Sequence, residues 1–574
     1  MQKYGPQTPA GQLILSKKYA QKGEDWRAVS NRVASALSDG ADHYHETRKI
    51  ILDQRFLPAG RILAGAGTSK SVCLHNCFVS GIIEDSFVDG RGSIMDRAKE
   101  AAATMRMGGG IGYDFSTLRP RGSLIRKLGS SASGPVSFME IFNAVCLATC
   151  SSGHRRGAQM GVLRVDHPDI EEFIHAKQDQ VSLTGFNISV GITDEFMAAV
   201  DAGSEFPLRF RGETYRTIDA RRLWEEIMRS AWDWAEPGVL FIDRMNLMNN
   251  LNYCEEITST NPCSEQPLPP YGACNLGSFN LPRYITTDPT DSQSLGGEGK
   301  FSWFFNLQQL RQDILAIVRA MDNVNDVAKY PLPEQQWEAQ QKRRIGIGVM
   351  GLANAIEAMG FPYGSEPFLG MTHRILMELK NMAYTASAIL AAEKGAFPAY
   401  DKDKYLASHF IQGLSADTRK NIELNGIRNS HVISMAPTGT IALVADNVSS
   451  GIEPTFSERA TNTYWTEEGP QPLEVVDYGV ARFGNRPRCA NDVSADDHIR
   501  VLCAAQSHTD SAVSKTCNVT GKMPWDEFKA LYHKAWMWGA KSCSVFNSDG
   551  KRAGVLVAAD GADGVNCPTG TCDI

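Results

Sequence analysis

Apolar residues near the N-terminus recur every three or four positions: Trp26, Val29, Val33, Ala34 and Leu37 share one face of a predicted helix, with charged residues between them left to water. The same period returns over residues 310–319 and, for longer, over residues 371–392. Phe186-Asn-Ile-Ser-Val190 alternates instead, which predicts a strand, and residues 165–173 read as a turn leading into a helix. Strands interleaved with long helices predict an α/β architecture, either a barrel or a doubly wound sheet.

Breaks in these patterns mark the connections. Gly108-Gly-Gly-Ile-Gly112 predicts a tight turn between elements, and the arginines that follow it, Arg119, Arg121 and Arg126, suit contact with phosphate. The stretch lacks the Lys-Ser/Thr ending of a Walker loop and the strand-turn-helix setting of a dinucleotide fingerprint. Residues 151–160 read as a polar, flexible loop, and residues 286–299 as an exposed one. No internal repeat divides the chain.

Composition narrows the classes of function. The chain has 574 residues, 43% hydrophobic and 21% charged, as expected of a globular enzyme with a large core. Its formal net charge of -7 provides no basic field for a nucleic acid backbone. Thirteen irregularly spaced cysteines are unlike a secreted disulfide scaffold and suit reactive thiols in a reducing compartment. The first residues lack the apolar core of a signal peptide, and no apolar run reaches the roughly 20 residues of a membrane span. The expectation is a cytoplasmic protein that binds neither nucleic acid nor membrane.

The cysteines carry the candidate chemistry. Cys77, the run Asn261-Pro-Cys263-Ser-Glu265, Cys274, and the pair Cys567 and Cys572 occur in that order. In an extended run Asn261, Cys263 and Glu265 point to one side. A sulfur radical on Cys263, formed with the help of a cofactor, can exchange hydrogen with a carbon centre. Glu265 can accept a hydroxyl proton, and Asn261 can hydrogen-bond a neighbouring hydroxyl. Cys77 and Cys274 can supply two electrons by forming a disulfide, provided their Cα atoms come within disulfide range. The terminal pair, on a mobile chain end, can then reduce that disulfide by thiol exchange. The run Ala436-Pro437-Thr438-Gly439-Thr440, ahead of Ile441, reads as a helix start suited to a nucleotide phosphate.

These residues, with Asn76-Cys-Phe-Val79, Ser133-Gly-Pro-Val-Ser-Phe138, Arg155-Arg-Gly-Ala158, Ala273-Cys-Asn-Leu-Gly-Ser278, Ser450-Gly-Ile-Glu-Pro454 and Val513-Ser-Lys-Thr516, follow a known family order. From about residue 50 to the terminal cysteines the chain resembles the large catalytic chain of ribonucleoside reductases, in the adenosylcobalamin-dependent class II and its dimeric subgroup. The resemblance implies a ten-stranded barrel of two antiparallel halves, each of five parallel strands, with a central finger loop. It implies a thiyl radical on Cys263, a general base at Glu265, positioning by Asn261, and reducing equivalents from Cys77 and Cys274. Asp85 and Arg126 resemble members of a site for a deoxynucleotide or ATP specificity effector, and residues 153–160 resemble the loop that links it to the substrate.

The implied substrate is a ribonucleotide, with diphosphate preferred over triphosphate, and the implied reductant is of the thioredoxin or glutaredoxin type. A homodimer is expected. The implied division is a helical region over 1–60, the barrel over 61–545, and a redox tail over 546–574, with too few residues at the start for an additional ATP-binding domain. The sequence has no Tyr-Tyr pair, which the class I chain uses with a separate radical-generating protein, and no glycyl-radical motif. A class I catalytic chain and an inactive nucleotide-binding homologue are the alternative readings. Ser264 stands where the family often has glycine, and Cys73 lies close enough to Cys77 to compete for its role.

Overall fold

The computed structural model describes residues 4–125, 129–151, 155–287, 295–296, 303–466 and 469–551. Ten strands join in one mixed sheet. They are β1 (Phe56–Pro58), β2 (Cys77–Val79), β3 (Gly110–Asp114), β4 (Gln159–Arg164), β5 (Phe186–Ile192), β6 (Gly238–Phe241), β7 (Ala273–Asn280), β8 (Ile345–Met350), β9 (Thr516–Val519) and β10 (Ser542–Asn547). From β2 to β6 each strand runs parallel to the next. Direction reverses at both ends of this run, where β10 pairs antiparallel with β6 and β7 pairs antiparallel with β2. Beyond the reversals β9 lies parallel to β10, and β8 parallel to β7. Single parallel bridges, Ile347 to Ile433 and Met435 to Val513, carry the pairing onward from β8.

Every residue of β7 and β8 is buried, as expected of strands covered on both faces. Part of that cover is helical. Helix α1 (Trp26–Leu37) begins at Asp25, whose carboxylate accepts the N–H of Ala28 at 2.8 Å, and it buries Trp26, Val29, Val33, Ala34 and Leu37. With α2 (Ala41–Leu52) it packs on α3 (Leu307–Val327), which in turn lies along β7, β8 and α4 (Glu366–Lys394). Helices α3 and α4 extend past their periodic cores because side-chain caps set their starts: Asn306 accepts from Gln309 N–H and Ser365 from Phe368 N–H.

Three local outcomes differ from the sequence pattern. The helical N-terminal stretch ends in a strand, β1, which pairs antiparallel with β7 and sets Phe56 edge-on to its register partner Phe279 at 4.9 Å between ring centroids. The glycine-rich stretch is a turn only at its start, since Gly110 to Gly112 belong to β3. The polar segment 151–160 ends in the buried strand β4, with residues 152–154 outside the described residues. Most of 286–299 also lies outside them. Among the described residues no helix is long and apolar enough to cross a membrane.

Candidate active site

Cys263 sits in the turn of a short hairpin whose arms, Ser259–Thr260 and Pro267–Leu268, pair antiparallel. The loop closes on itself: Asn261 N–H donates to the Gln266 carbonyl at 3.1 Å, Gln266 N–H to Asn261 Oδ1 at 2.9 Å, and Ser264 N–H to the Asn261 carbonyl at 3.1 Å. Ser264 has φ +66°. That left-handed conformation costs a residue with a Cβ roughly 1–2 kcal/mol, which explains why glycine suits the position. The surrounding sheet holds the loop in place. The Glu265 carbonyl accepts Ala512 N–H at 2.9 Å and Ser434 Oγ–H at 3.0 Å, and Asn187 Nδ2 donates to the Pro262 carbonyl at 3.0 Å.

The glycine run explains how the hairpin fits. A Cβ on Gly112 would lie 1.8 Å from the Thr260 carbonyl oxygen, so only glycine lets β3 pass beneath the hairpin arm. Gly112→Ala is expected to lower stability by about 1–3 kcal/mol through overpacking. By displacing the loop it is also expected to lower turnover by about 10²-fold. Urea unfolding and a turnover assay on one preparation check both, and an unchanged rate would contradict the close fit.

The loop is a turn rather than the extended run that alternation implies, because Pro262 has no N–H for a ladder and Ser264 reverses the backbone. The turn brings Asn261 and Glu265 to the same sulfur. Asn261 Nδ2 donates to Cys77 Sγ at 3.2 Å, and the Cys77 thiol donates to Glu265 Oε1 at 3.7 Å. Across the β2–β7 pair Cys77 and Cys274 are direct register partners. Such antiparallel partners have Cα atoms about 4.5–5.5 Å apart, inside the range a disulfide spans. Cys73 is not opposite Cys274. It is fully buried in the main core, its sulfur accepts His75 N–H at 3.4 Å, and burial pushes its thiol up to about 12.

Burial also governs protonation here. Glu265 is fully buried, and the loss of hydration raises its carboxyl to about 7 against the opposing hydrogen bonds from Asn261, its own backbone N–H and Cys77. Its Oε2 has no partner among the described residues. The Cys77 and Cys274 thiols are pushed well above their ordinary value, first by burial. A carboxyl near 7 can take or give a proton at neutral pH, and two protonated thiols can act as donors.

Cys263 is half-buried and lines a cavity of about 290 Å³. Pro437 and Gly439 of the predicted phosphate loop line the same cavity, at the start of α5 (Gly439–Val444). Ala436 packs in one apolar cluster with Cys77 and Cys274. Thr438 has φ +59°, and its hydroxyl oxygen accepts Gly451 N–H at 2.9 Å. The Thr440 hydroxyl bonds that of Tyr19.

Four other residues of the cavity wall, Asn187, Ser449, Glu453 and Lys515, have no role predictable from the sequence pattern. Lys515 Nζ lies 2.6 Å from Glu453 Oε2, and Thr516 N–H donates to Glu453 Oε1 at 2.8 Å. Their segments carried motif resemblance, but a contact spanning some sixty positions leaves no periodic trace.

Asp85 lines a second cavity, of about 400 Å³, with Glu84, Arg164, Arg209 and Arg211. Its carboxylate accepts Arg119 Nε–H at 2.9 Å and lies 3.4 Å from Arg211. Arg126, Cys567 and Cys572 lie outside the described residues.

The sequence model of a family described as ribonucleotide reductase, barrel domain, matches residues 75–482 and 480–546. A vitamin B12-dependent ribonucleoside-diphosphate reductase of Mycobacterium tuberculosis (strain CDC 1551 / Oshkosh) is 35% identical, over 95% of this chain and 79% of its own length. A protein of the same description from Thermoplasma acidophilum is 32% identical, over 90% of this chain and 67% of its own length. With this match and the cysteine geometry above, the chain belongs to the ribonucleotide reductase family and stands among its vitamin B12-dependent members.

Proposed function

We propose that the chain reduces ribonucleotides to 2'-deoxyribonucleotides by thiyl-radical chemistry that depends on adenosylcobalamin, with ribonucleoside diphosphates as the preferred substrates. One observation carries this reading: Asn261 and Glu265 bracket the sulfur of Cys77, whose register partner is Cys274, on the hairpin that presents Cys263 to the cavity. In this reading Cys263 takes the 3'-hydrogen of the ribose and later returns it. Glu265 accepts the 3'-hydroxyl proton while Asn261 orients that hydroxyl. Cys77 and Cys274 together give two electrons and two protons, so that the 2'-hydroxyl leaves as water and the pair becomes a disulfide. Pro437, Gly439 and their neighbours from Ala436 to Thr440 hold the phosphates.

Adenosylcobalamin supplies, when bound, the one-electron oxidation of the cysteine through cleavage of its cobalt–carbon bond. The cavity wall suits a bulky apolar group, since Pro454, Phe456, Val475, Val545 and Phe546 line it together with Cys263. Phe456 is 63% exposed, which leaves its ring open to such a group.

The strand pairings support a ten-stranded barrel of two antiparallel halves, β2 to β6 and β7 to β10 with the bridged segments, each of five parallel strands. The sheet strands, from β1 at Phe56 to the end of β10 at Asn547, carry that barrel beyond both expected boundaries of 61 and 545, the helices α1 and α2 precede it, and Cys567 and Cys572, outside the described residues, pass electrons from a thioredoxin or glutaredoxin type protein. Asp85 and Arg126 belong to the effector site. The exposed Phe87, Val88, Met95 and Leu147 suit a homodimer contact, and the site of action is the cytoplasm.

Anaerobic incubation of the purified chain with ribonucleotide, a dithiol and adenosylcobalamin tests the function. The expected result is deoxyribonucleotide formed only with the cofactor. No product from either diphosphates or triphosphates, with effectors present and the protein folded, would overturn it.

A further inference from the structure

The two buried thiols stand in unlike electrostatic surroundings. In the parallel β7–β8 register Asn275 faces Ile345, so Arg344, one residue earlier, stands level with Cys274. Cross-strand neighbours share a face of the sheet. Cys274 therefore has Cys77 on one flank and Arg344 on the other.

Arg344 is 2% exposed, bonds Glu255 and Glu338 through its two terminal nitrogens, and keeps an Nε–H with no partner among the described residues. Its charge is the strongest favouring a thiolate on Cys274, opposed by Asp510 and Glu265. Cys77 has the reverse setting. The Glu265 carboxylate and the Cys274 sulfur both disfavour a thiolate there, and the contact that supports one is the neutral Asn261 amide.

We propose that Arg344 polarises the cysteine pair: it is a positioning residue that makes Cys274 the sulfur released as thiolate when the Cys77–Cys274 disulfide is reduced, and leaves Cys77 as the sulfur that the incoming dithiol attacks. The inference rests on the reading of Cys77 and Cys274 as the reducing pair. One thiolate of the dithiol bonds to Cys77 Sγ, the Cys77–Cys274 bond breaks, and its electron pair leaves on Cys274 beside Arg344. The second thiol of the dithiol, as thiolate, then attacks its own mixed sulfur and releases Cys77. With two protons transferred from the dithiol, the products are two protein thiols and one reductant disulfide.

Site-resolved alkylation of the full, reduced chain tests the polarity, using isotope-coded iodoacetamide and peptide mass spectrometry from pH 7 to 10. Cys274 is expected to react about tenfold or more faster than Cys77, because the thiolate is the nucleophile. Arg344→Met should remove most of that advantage with little change at Cys77, and Arg344→Lys should restore most of it. If Arg344→Met fails to fold, Arg344→Met with Glu255→Gln keeps the buried charges balanced and gives the same comparison.

A faster Cys77, or a rate ratio indifferent to Arg344, would overturn the proposal. A separate arm examines the pair itself: one turnover without external reductant should leave a Cys77–Cys274 disulfide. Its absence would remove the reading of the pair and this inference with it, whereas missing asymmetry with the disulfide present would remove the role of Arg344 alone.

Discussion

Cys263→Ala is expected to abolish deoxyribonucleotide formation while the protein stays folded. The reaction requires an atom that holds an unpaired electron and exchanges hydrogen with carbon, and alanine has none. Groups that act as one catalytic unit fail together, so the expected loss is on the order of 10⁴-fold or more, below detection in a product assay. Stability should change little, because Cys263 is half-buried in a turn held by the hydrogen bonds of Asn261, Ser264 and Gln266, all of which survive the substitution. Product analysis by chromatography, with circular dichroism on the same sample, checks both halves. Turnover by a folded Cys263→Ala protein would end the radical assignment.

The second large effect is expected at Glu265, where activity and stability part company. Glu265→Gln removes the proposed base at the 3'-hydroxyl and should lower turnover by about 10²–10⁴-fold. In the parent enzyme the rate should rise with pH through about 7, the value to which burial raises this carboxyl, since the base must be deprotonated. Stability runs the other way.

The carboxyl moves from an ordinary 4.5 in the unfolded chain to about 7 in the fold. Between those values the folded state therefore binds more protons than the unfolded one, and stability falls as pH rises. The contribution is fully present below pH 4.5 and lost as pH passes about 7, a change of roughly 3 kcal/mol at about 1.4 kcal/mol per unit. Glu265→Gln cannot ionise and should not share this loss. Denaturation midpoints of both proteins at pH 5 and pH 8 check it, and equal pH dependence would show that Glu265 does not titrate near neutrality. The loss of activity and the gain in high-pH stability from one substitution would mark Glu265 as held in a costly state for the sake of chemistry.

Much of the helical frame was legible in the chain because amphipathic period and end caps are local properties. Trp26 to Leu37 read as a helix and form one, and Phe186 to Val190 read as a strand within β5. Buried strands were harder. Ile345-Gly-Ile-Gly-Val-Met350 is apolar throughout, so no alternation marks β8 as a strand covered on both faces. The glycine run had an evident role in permitting close approach, but the Thr260 carbonyl it accommodates lies nearly 150 positions away.

The sequence by itself determined which chemical groups the chain offers and the order in which it presents them: a series of cysteines, with Cys73 and Cys77 both candidates for one role, and a carboxylate and an amide flanking Cys263. Tertiary structure alone decided which cysteine stands opposite Cys274, how Asn261 and Glu265 meet at one sulfur, and that Arg344 lies beside one thiol and not the other. The physical reason is register. Thiol pairing depends on a few ångströms and carboxyl ionisation on exclusion from water, and both follow from which strand lies against which.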